Sequence, residues 1–235
     1  MTKTITPEML ATLPAPIQRY MEYTGVVGKQ IPTSVAVKYT GQFRQSLEQP
    51  WMPMVAEQRY TTDPASFEWQ AKFKMMGIPI LRVTDRYEQG KGSMRGKLAG
   101  IFTIFDAKDH KALDQGSMMR YLNEVMWFPT AYFSEKFAWQ AIDDASAQIT
   151  YTDFGRSISA TLFIDAEGKL TNFIGERYRE LNGEYTLDKW STPITSYAEF
   201  NGLRLPGGGT GTWLLPEGEL TYIELSLQEL HYSFA

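Results

Sequence analysis

Asp85 stands where a carboxylate needs explaining. Through Ile80–Glu88 strict alternation puts Leu81, Val83, Asp85 and Tyr87 on one face of a strand. An isolated charge among such neighbours must be paired, neutral or reached by water. Arg177 and Arg179 share the Phe173 face of a later strand and are candidates to reach it. Tyr197 shares a face with Thr195 and Glu199 in another. A second carboxylate–guanidinium pair, Arg120 and Glu124, lies four residues apart in a helix-like run. Two chemistries follow from these types. Glu124 or Asp85 serves as a general base while Arg120 or Arg177 stabilises developing negative charge. Alternatively, the same groups orient the polar end of a ligand in an aromatic pocket. Against both stands a purely structural reading: a buried ion pair at Asp85, and at Arg120–Glu124 a surface pair worth at most about 1 kcal/mol.

Other chemistries lack their residues. There is no cysteine, so disulfides, thiolate nucleophiles and cysteine-ligated zinc are excluded. Only His110 and His231 are available for a histidine metal site, and they lie far apart; no metal or other cofactor is expected. No H-E-x-x-H, calcium-loop or G-x-S-x-G pattern occurs. Gly207–Thr212 (GGGTGT) lacks the Gly-Lys-Ser/Thr ending of a phosphate loop and reads as a flexible hairpin turn. A net charge of −4 and a pI near 5.3 with no Lys/Arg run argue against nucleic acid and anionic membrane surfaces as partners. No stretch approaches a membrane span, and the N-terminus has no apolar export region. If Met1 is the natural start, the chain is expected in the cytoplasm.

The elements that must position these groups are mostly strands. Thr6-Pro7 opens a short helix, and a second follows Pro16, with Ile17, Tyr20 and Met21 on one face and Gly25 as its cap. Residues 34–106 read as strands. The clearest is Ser66–Met75, with Phe67, Trp69, Ala71, Phe73 and Met75 facing one way and Glu68, Gln70, Lys72 and Lys74 the other. Met94, Leu98, Phe102 and Ile104 are expected inward. Residues 113–133 form the one long helix, capped at Asp114, with Gly116 a weak point and Pro129 its end. Met118, Leu122 and Val125 share one face; Arg120, Asn123, Glu124 and Trp127 lie opposite. Strands resume over 148–234, and a phase change near Glu229 predicts a β-bulge. One domain over residues 1–235 is expected, mainly β (α+β). Its core is a strongly curved antiparallel sheet or half-barrel of about ten strands, its concave face covered by the inserted helix.

Several blocks carry a resemblance. Leu13-Pro14-x-Pro16-Ile17-x-Arg19-Tyr20, Phe67-x-Trp69-x-Ala71 and Asp85-x-Tyr87 are three of them. Arg120-Tyr121-Leu122-x-Glu124-x-x-Trp127-Phe128-Pro129-Thr130-Ala131 is the most specific. With Trp139, Arg177, Trp190, Tyr197, Gly202, Pro206 and Trp213 in matching order, the chain resembles a bacterial family of conserved hypothetical proteins over nearly its whole length. Asn123 departs from the small residue expected there. The family's function is unassigned, so it implies no reaction. The layout is also similar to the LolA-like half-barrel of bacterial lipoprotein carriers, a likeness of architecture alone.

Thirteen Tyr, thirteen Phe and six Trp suit the walls of a cavity as well as a core. The leading expectation is therefore a binding protein for an apolar or amphipathic small molecule. Trp69, Phe73, Tyr87 and Trp127 supply wall, while Asp85, Arg120, Glu124, Arg177 and Tyr197 orient a polar end. A cofactor-free enzyme and an assembly module remain the alternatives.

Overall fold

Alternating apolar and polar residues become antiparallel strands throughout. The computed structural model describes residues 4–75 and 77–235; the side chain of Met75, expected inward, lies outside the described set. Two short helices, α1 (Pro7–Leu10) and α2 (Ala15–Thr24), precede β1 (Ser34–Phe43), β2 (Met52–Thr62), β3 (Ala65–Met75), β4 (Ile78–Glu88), β5 (Lys91–Leu98) and β6 (Phe102–Ala107). The inserted helix α3 (Lys111–Glu124) continues into 3-10 turns at Val125–Trp127 and Pro129–Phe133. Then follow β7 (Phe137–Ala141), β8 (Ser146–Asp153), β9 (Arg156–Ile164), β10 (Leu170–Leu181), β11 (Glu184–Ser191), β12 (Ile194–Phe200), β13 (Leu203–Leu215) and β14 (Gly218–Ser233).

The fourteen strands of the described residues join one sheet, thirteen of them in the order β6-β5-β4-β3-β2-β1-β14-β13-β11-β10-β9-β8-β7 and β12 pairing with β13 off this path. β13 shares one edge between β11 and β12. Fourteen strands exceed the expected ten because stretches that read as continuous are broken. Ala99–Gly100 splits 93–105, Thr192–Pro193 splits 185–200, and the short β7 follows the helix without a marked pattern.

The sheet must bend. α3 packs against β4 and β5 and also against β9 and β10, which lie at opposite ends of the strand order. Flat strands spaced about 4.8 Å apart would hold β4 and β10 roughly 34 Å from one another. One helix of about 10 Å diameter spans that gap only if the sheet wraps around it. The two wings also meet directly. A Cβ built on Gly90, in the β4–β5 turn, would lie 2.7 Å from Phe154 in the β8–β9 turn, so glycine permits the approach. Gly116 works likewise: its α3 backbone lies so close to β10 that a Cβ there would sit 3.3 Å from the Tyr178 carbonyl. It is a packing position, not a weak point.

Local expectations fare unevenly. Gly25 caps α2 in the left-handed conformation at φ +78°, and Ile17, Tyr20 and Met21 are buried. The bulge near Glu229 is present: Lys38 pairs with Glu229 and Tyr39 with Leu227, leaving Gln228 unpaired in the ladder. Residues 207–212 are not a turn but part of β13; the glycines there let β12 approach, a Cβ on Gly208 falling 2.7 Å from the Ser196 hydroxyl. The long helix stops at Glu124, and Asp114 is not its cap: His110 is, its Nδ1 accepting from the Ala112 N–H. Leu98, Phe102 and Ile104 are not covered: Leu98 ends β5, the other two lie on the edge strand β6, and the three are 46, 68 and 54 % exposed, although Ile104 still borders the hollow.

Candidate functional site

The hollow is filled at one end and open at the other. Around the C-terminal end of α3, aromatic side chains close-pack: Tyr60 against Phe128, Tyr121 between Tyr87 and Tyr151, Phe137 against Tyr151. Beside this lies a cavity of about 910 Å³ between α3 and the inner faces of both wings. Trp69, Phe73 and Trp127 form its wall, together with Trp190, Trp213 and Tyr222 from the far wing. Trp127 is fixed by its indole N–H, which donates to the Pro206 carbonyl at 3.1 Å. That volume is in the range of ligand pockets.

One boundary of the cavity is ionic. Arg120, mostly buried on α3, donates from Nη1 to Asp85 Oδ2 (2.7 Å) and from Nε to Glu124 Oε1 (2.9 Å). Its Nη2 donates to Gln58 Oε1 (2.9 Å) and Tyr39 Oη (3.3 Å). Gln58 returns an N–H to Glu124 Oε2 at 2.7 Å, and the Tyr39 hydroxyl donates to Gln58 Oε1. The guanidinium also lies over Phe67 and Trp69, 5.0 and 4.9 Å from the ring centres. The Arg120–Glu124 pair is thus not a surface pair; the two side chains are 13 and 7 % exposed. Glu124 has both oxygens engaged within the network, which counts against its use as a free base.

Asp85 is left incomplete. Its Oδ1 is buried and has no hydrogen-bond partner among the described residues. Burial pushes its carboxyl above the ordinary value, although Arg120 and, more distantly, Arg177 pull it down. Burial also works against the Arg120 charge, but Glu124, Tyr39 and Asp85 overcome it and hold that group firmly protonated. Across the cavity, Arg177 donates from Nε to the Gly116 carbonyl (3.0 Å) and from Nη1 to Tyr222 Oη (3.2 Å). It stacks over Trp190 at 4.7 Å, and no carboxylate lies within ion-pair distance of it among the described residues. The expected Asp85–Arg177 pair is therefore replaced by Asp85–Arg120, and Arg179 pairs with Asp188 at 2.9 Å instead. Among the described residues, no cluster of three or more His, Asp or Glu is placed to hold a metal.

A raised carboxylate pKa means the ionised form costs stability. That cost is absent below the unfolded value near 4 and grows as pH rises through the folded value. Asp85→Asn, which keeps an oxygen for Arg120, is expected to leave stability unchanged or raise it by about 1 kcal/mol at neutral pH. Thermal denaturation across pH checks this. The advantage of the variant should grow with pH, and a loss of stability at neutral pH would contradict it.

A family model described as "Family of unknown function (DUF6544)" matches residues 3–225. The chain belongs to that family. The resemblance carried by Arg120–Ala131 and the other blocks is of this kind, and DUF6544 membership brings no assigned reaction. Among curated proteins, none matches the chain. Among solved structures, the DUF6544 chain is similar to a DUF1329 family protein from Desulfovibrio piger, with 8 % identity, 93 % of this chain and 94 % of that one covered, and a TM-score of 0.51. It is also similar to a LolA superfamily protein from Nitrosomonas europaea, with 8 % identity, 98 and 95 % coverage and a TM-score of 0.50. At such identity the likeness shows the fold alone: a LolA-like, mainly β, curved open sheet with few helices.

Within the DUF6544 chain two expected site residues lie elsewhere. Tyr87 is fully buried in the aromatic end, between Phe67 and Tyr121, and does not line the cavity. Tyr197 packs edge-on against Tyr23 of α2 and donates to the Leu170 carbonyl, also away from the cavity. Trp69, Phe73, Asp85, Arg120, Glu124, Trp127 and Arg177 do come together around it. Sequence reasoning passed over Tyr39 and Gln58. Gln58 had a readable signal, a polar residue on the Met54–Ala56–Tyr60 face of β2, the same anomaly that marked Asp85.

Proposed function

We propose that this DUF6544 protein binds an amphiphilic small molecule, its hydrocarbon part in the aromatic cavity and its polar end between Asp85 and Arg177. The observation that carries this is the cavity of about 910 Å³ with, among the described residues, Asp85 Oδ1 unpartnered on one side and Arg177 without a carboxylate on the other. A purely structural ion pair closes on itself, whereas here a carboxylate and a guanidinium at the cavity boundary each keep spare polar capacity beside the apolar volume. The LolA-like curved sheet agrees with this reading without naming a ligand. Catalysis has less support, because Arg120 and Glu124 are each bound up in the network.

Native mass spectrometry of the protein after incubation with a total lipid extract tests it. A discrete adduct is expected. Leu225→Trp, which projects bulk into the cavity from β14, should reduce occupancy roughly tenfold or more while the fold melts as before. A spectrum without adducts across the extract, with unchanged tryptophan fluorescence, would end the proposal.

A further inference from the structure

We propose that the tips of β3–β6 form a docking surface for an anionic lipid bilayer. This surface is separate from the ionic network and does not require the cavity to be filled.

The first observation is misplaced apolar area. Ile78, Leu98, Ile101, Phe102 and Ile104 are 65, 46, 73, 68 and 54 % exposed, and all lie on β4, β5, β6 or the turn between the last two. Single exposed hydrophobics need no explanation, but a group gathered on one edge does. They are also continuous with the cavity. Phe73, Leu81, Leu98 and Phe102 are successive cross-strand partners, so one row runs from the buried wall out to the edge. Ile104 itself borders the cavity.

The second observation is charge. On the opposite face, Lys72, Arg82 and Lys97 are direct cross-strand partners on β3, β4 and β5. Like charges placed opposite one another weaken a sheet. None of the three has an acid within ion-pair distance among the described residues, whereas neighbouring Arg86 and Arg95 pair with Glu68 and Asp106. From Ala65 to Ala107 the chain carries seven Lys and Arg against four acids, one of them the buried Asp85, although the whole chain is at −4. Net charge argues against an anionic surface only if charge is evenly spread, and here it is not. An anionic bilayer satisfies both features, lipid headgroups meeting the cation row and the interface receiving the apolar tip. A second copy of the chain would bring the same cation row to the junction, which disfavours self-association there.

Vesicle flotation at low and high salt decides it, using phosphatidylcholine vesicles and phosphatidylcholine–phosphatidylglycerol vesicles. The protein should bind the anionic vesicles roughly tenfold or more better than the neutral ones, less so at high salt. The exposed pair Ile101→Asp/Phe102→Asp should abolish this binding, and Lys72→Gln/Lys97→Gln should weaken it, with melting temperatures unchanged. Equal binding to both vesicle types, no binding, or variants that bind like the parent would overturn the proposal. So would a dimer seen by light scattering that Ile101→Asp/Phe102→Asp dissolves without any vesicle binding. Lipid adducts retained by the Ile101→Asp/Phe102→Asp protein in native mass spectrometry keep this result distinct from that of the cavity.

Discussion

Arg120→Met is expected to destabilise the fold by about 3–5 kcal/mol. The side chain is the only cation that hydrogen-bonds Asp85 and Glu124 among the described residues, and it also bonds Gln58 and Tyr39. Methionine fills much of its volume over Phe67 and Trp69, so lost packing is the smaller part. The larger part is two carboxylates left in a buried site without their counter-charge, which must take up protons or water. Equilibrium denaturation measures the loss. Adding Asp85→Asn to Arg120→Met should recover part of it, because one orphaned charge is then removed. A single variant within about 1 kcal/mol of the parent, or a pair that is strictly additive, would mean that the network carries little energy.

Asp114→Ala is expected to cost about 2–4 kcal/mol and to change the response to acid. This carboxylate, fully buried on α3, ties three parts of the chain together. Oδ1 accepts from the Gly92 N–H at 2.9 Å; Oδ2 accepts from Arg156 at 2.9 Å and from Lys91 at 3.1 Å. Gly92 and Lys91 belong to β5 and Arg156 to β9, so one side chain clamps the helix to both wings. Burial alone would raise its pKa, yet the Gly92 N–H, Arg156 and Lys91 together hold it below the ordinary carboxylate value. A depressed folded pKa contributes stability that is present at neutral pH and lost as pH falls below about 4. The gap between parent and Asp114→Ala should therefore be widest near neutrality and narrow in acid. Asp85 has the opposite sign, its contribution declining as pH rises. Two buried aspartates thus pull the pH profile in contrary directions, and single variants of each separate them. A gap that stays constant from neutral pH into acid would refute the assignment to Asp114.

How far these residues were legible differs between them. Asp85 was visible because strand alternation is local: with side chains on a period of two, its neighbours Val83 and Tyr87 reveal which way it points. Gln58 carried the same mark. Asp114 reads as a helix cap because a carboxylate near a helix start suits that role, and nothing nearby in sequence shows that two hairpins close on it. The apolar residues of β6 read as inside because periodicity identifies a face but does not say whether another layer covers it. At the edge of the sheet, none does.

By itself the sequence determined the mainly β character, the inward-facing aspartate, the α2 cap at Gly25 and the bulge at Gln228. Each depends on neighbours a few residues away, where backbone sterics and side-chain period leave few choices. Tertiary structure decided that Arg120, not Arg177, meets Asp85, and that Tyr87 and Tyr197 lie outside the cavity. It also decided that one end of the hollow is filled with rings while the other is empty. Those outcomes follow from how tightly the sheet coils about α3, which sums small twists over fourteen strands. No local pattern encodes that sum, so long-range partners and empty volume appear only once the chain has closed upon itself.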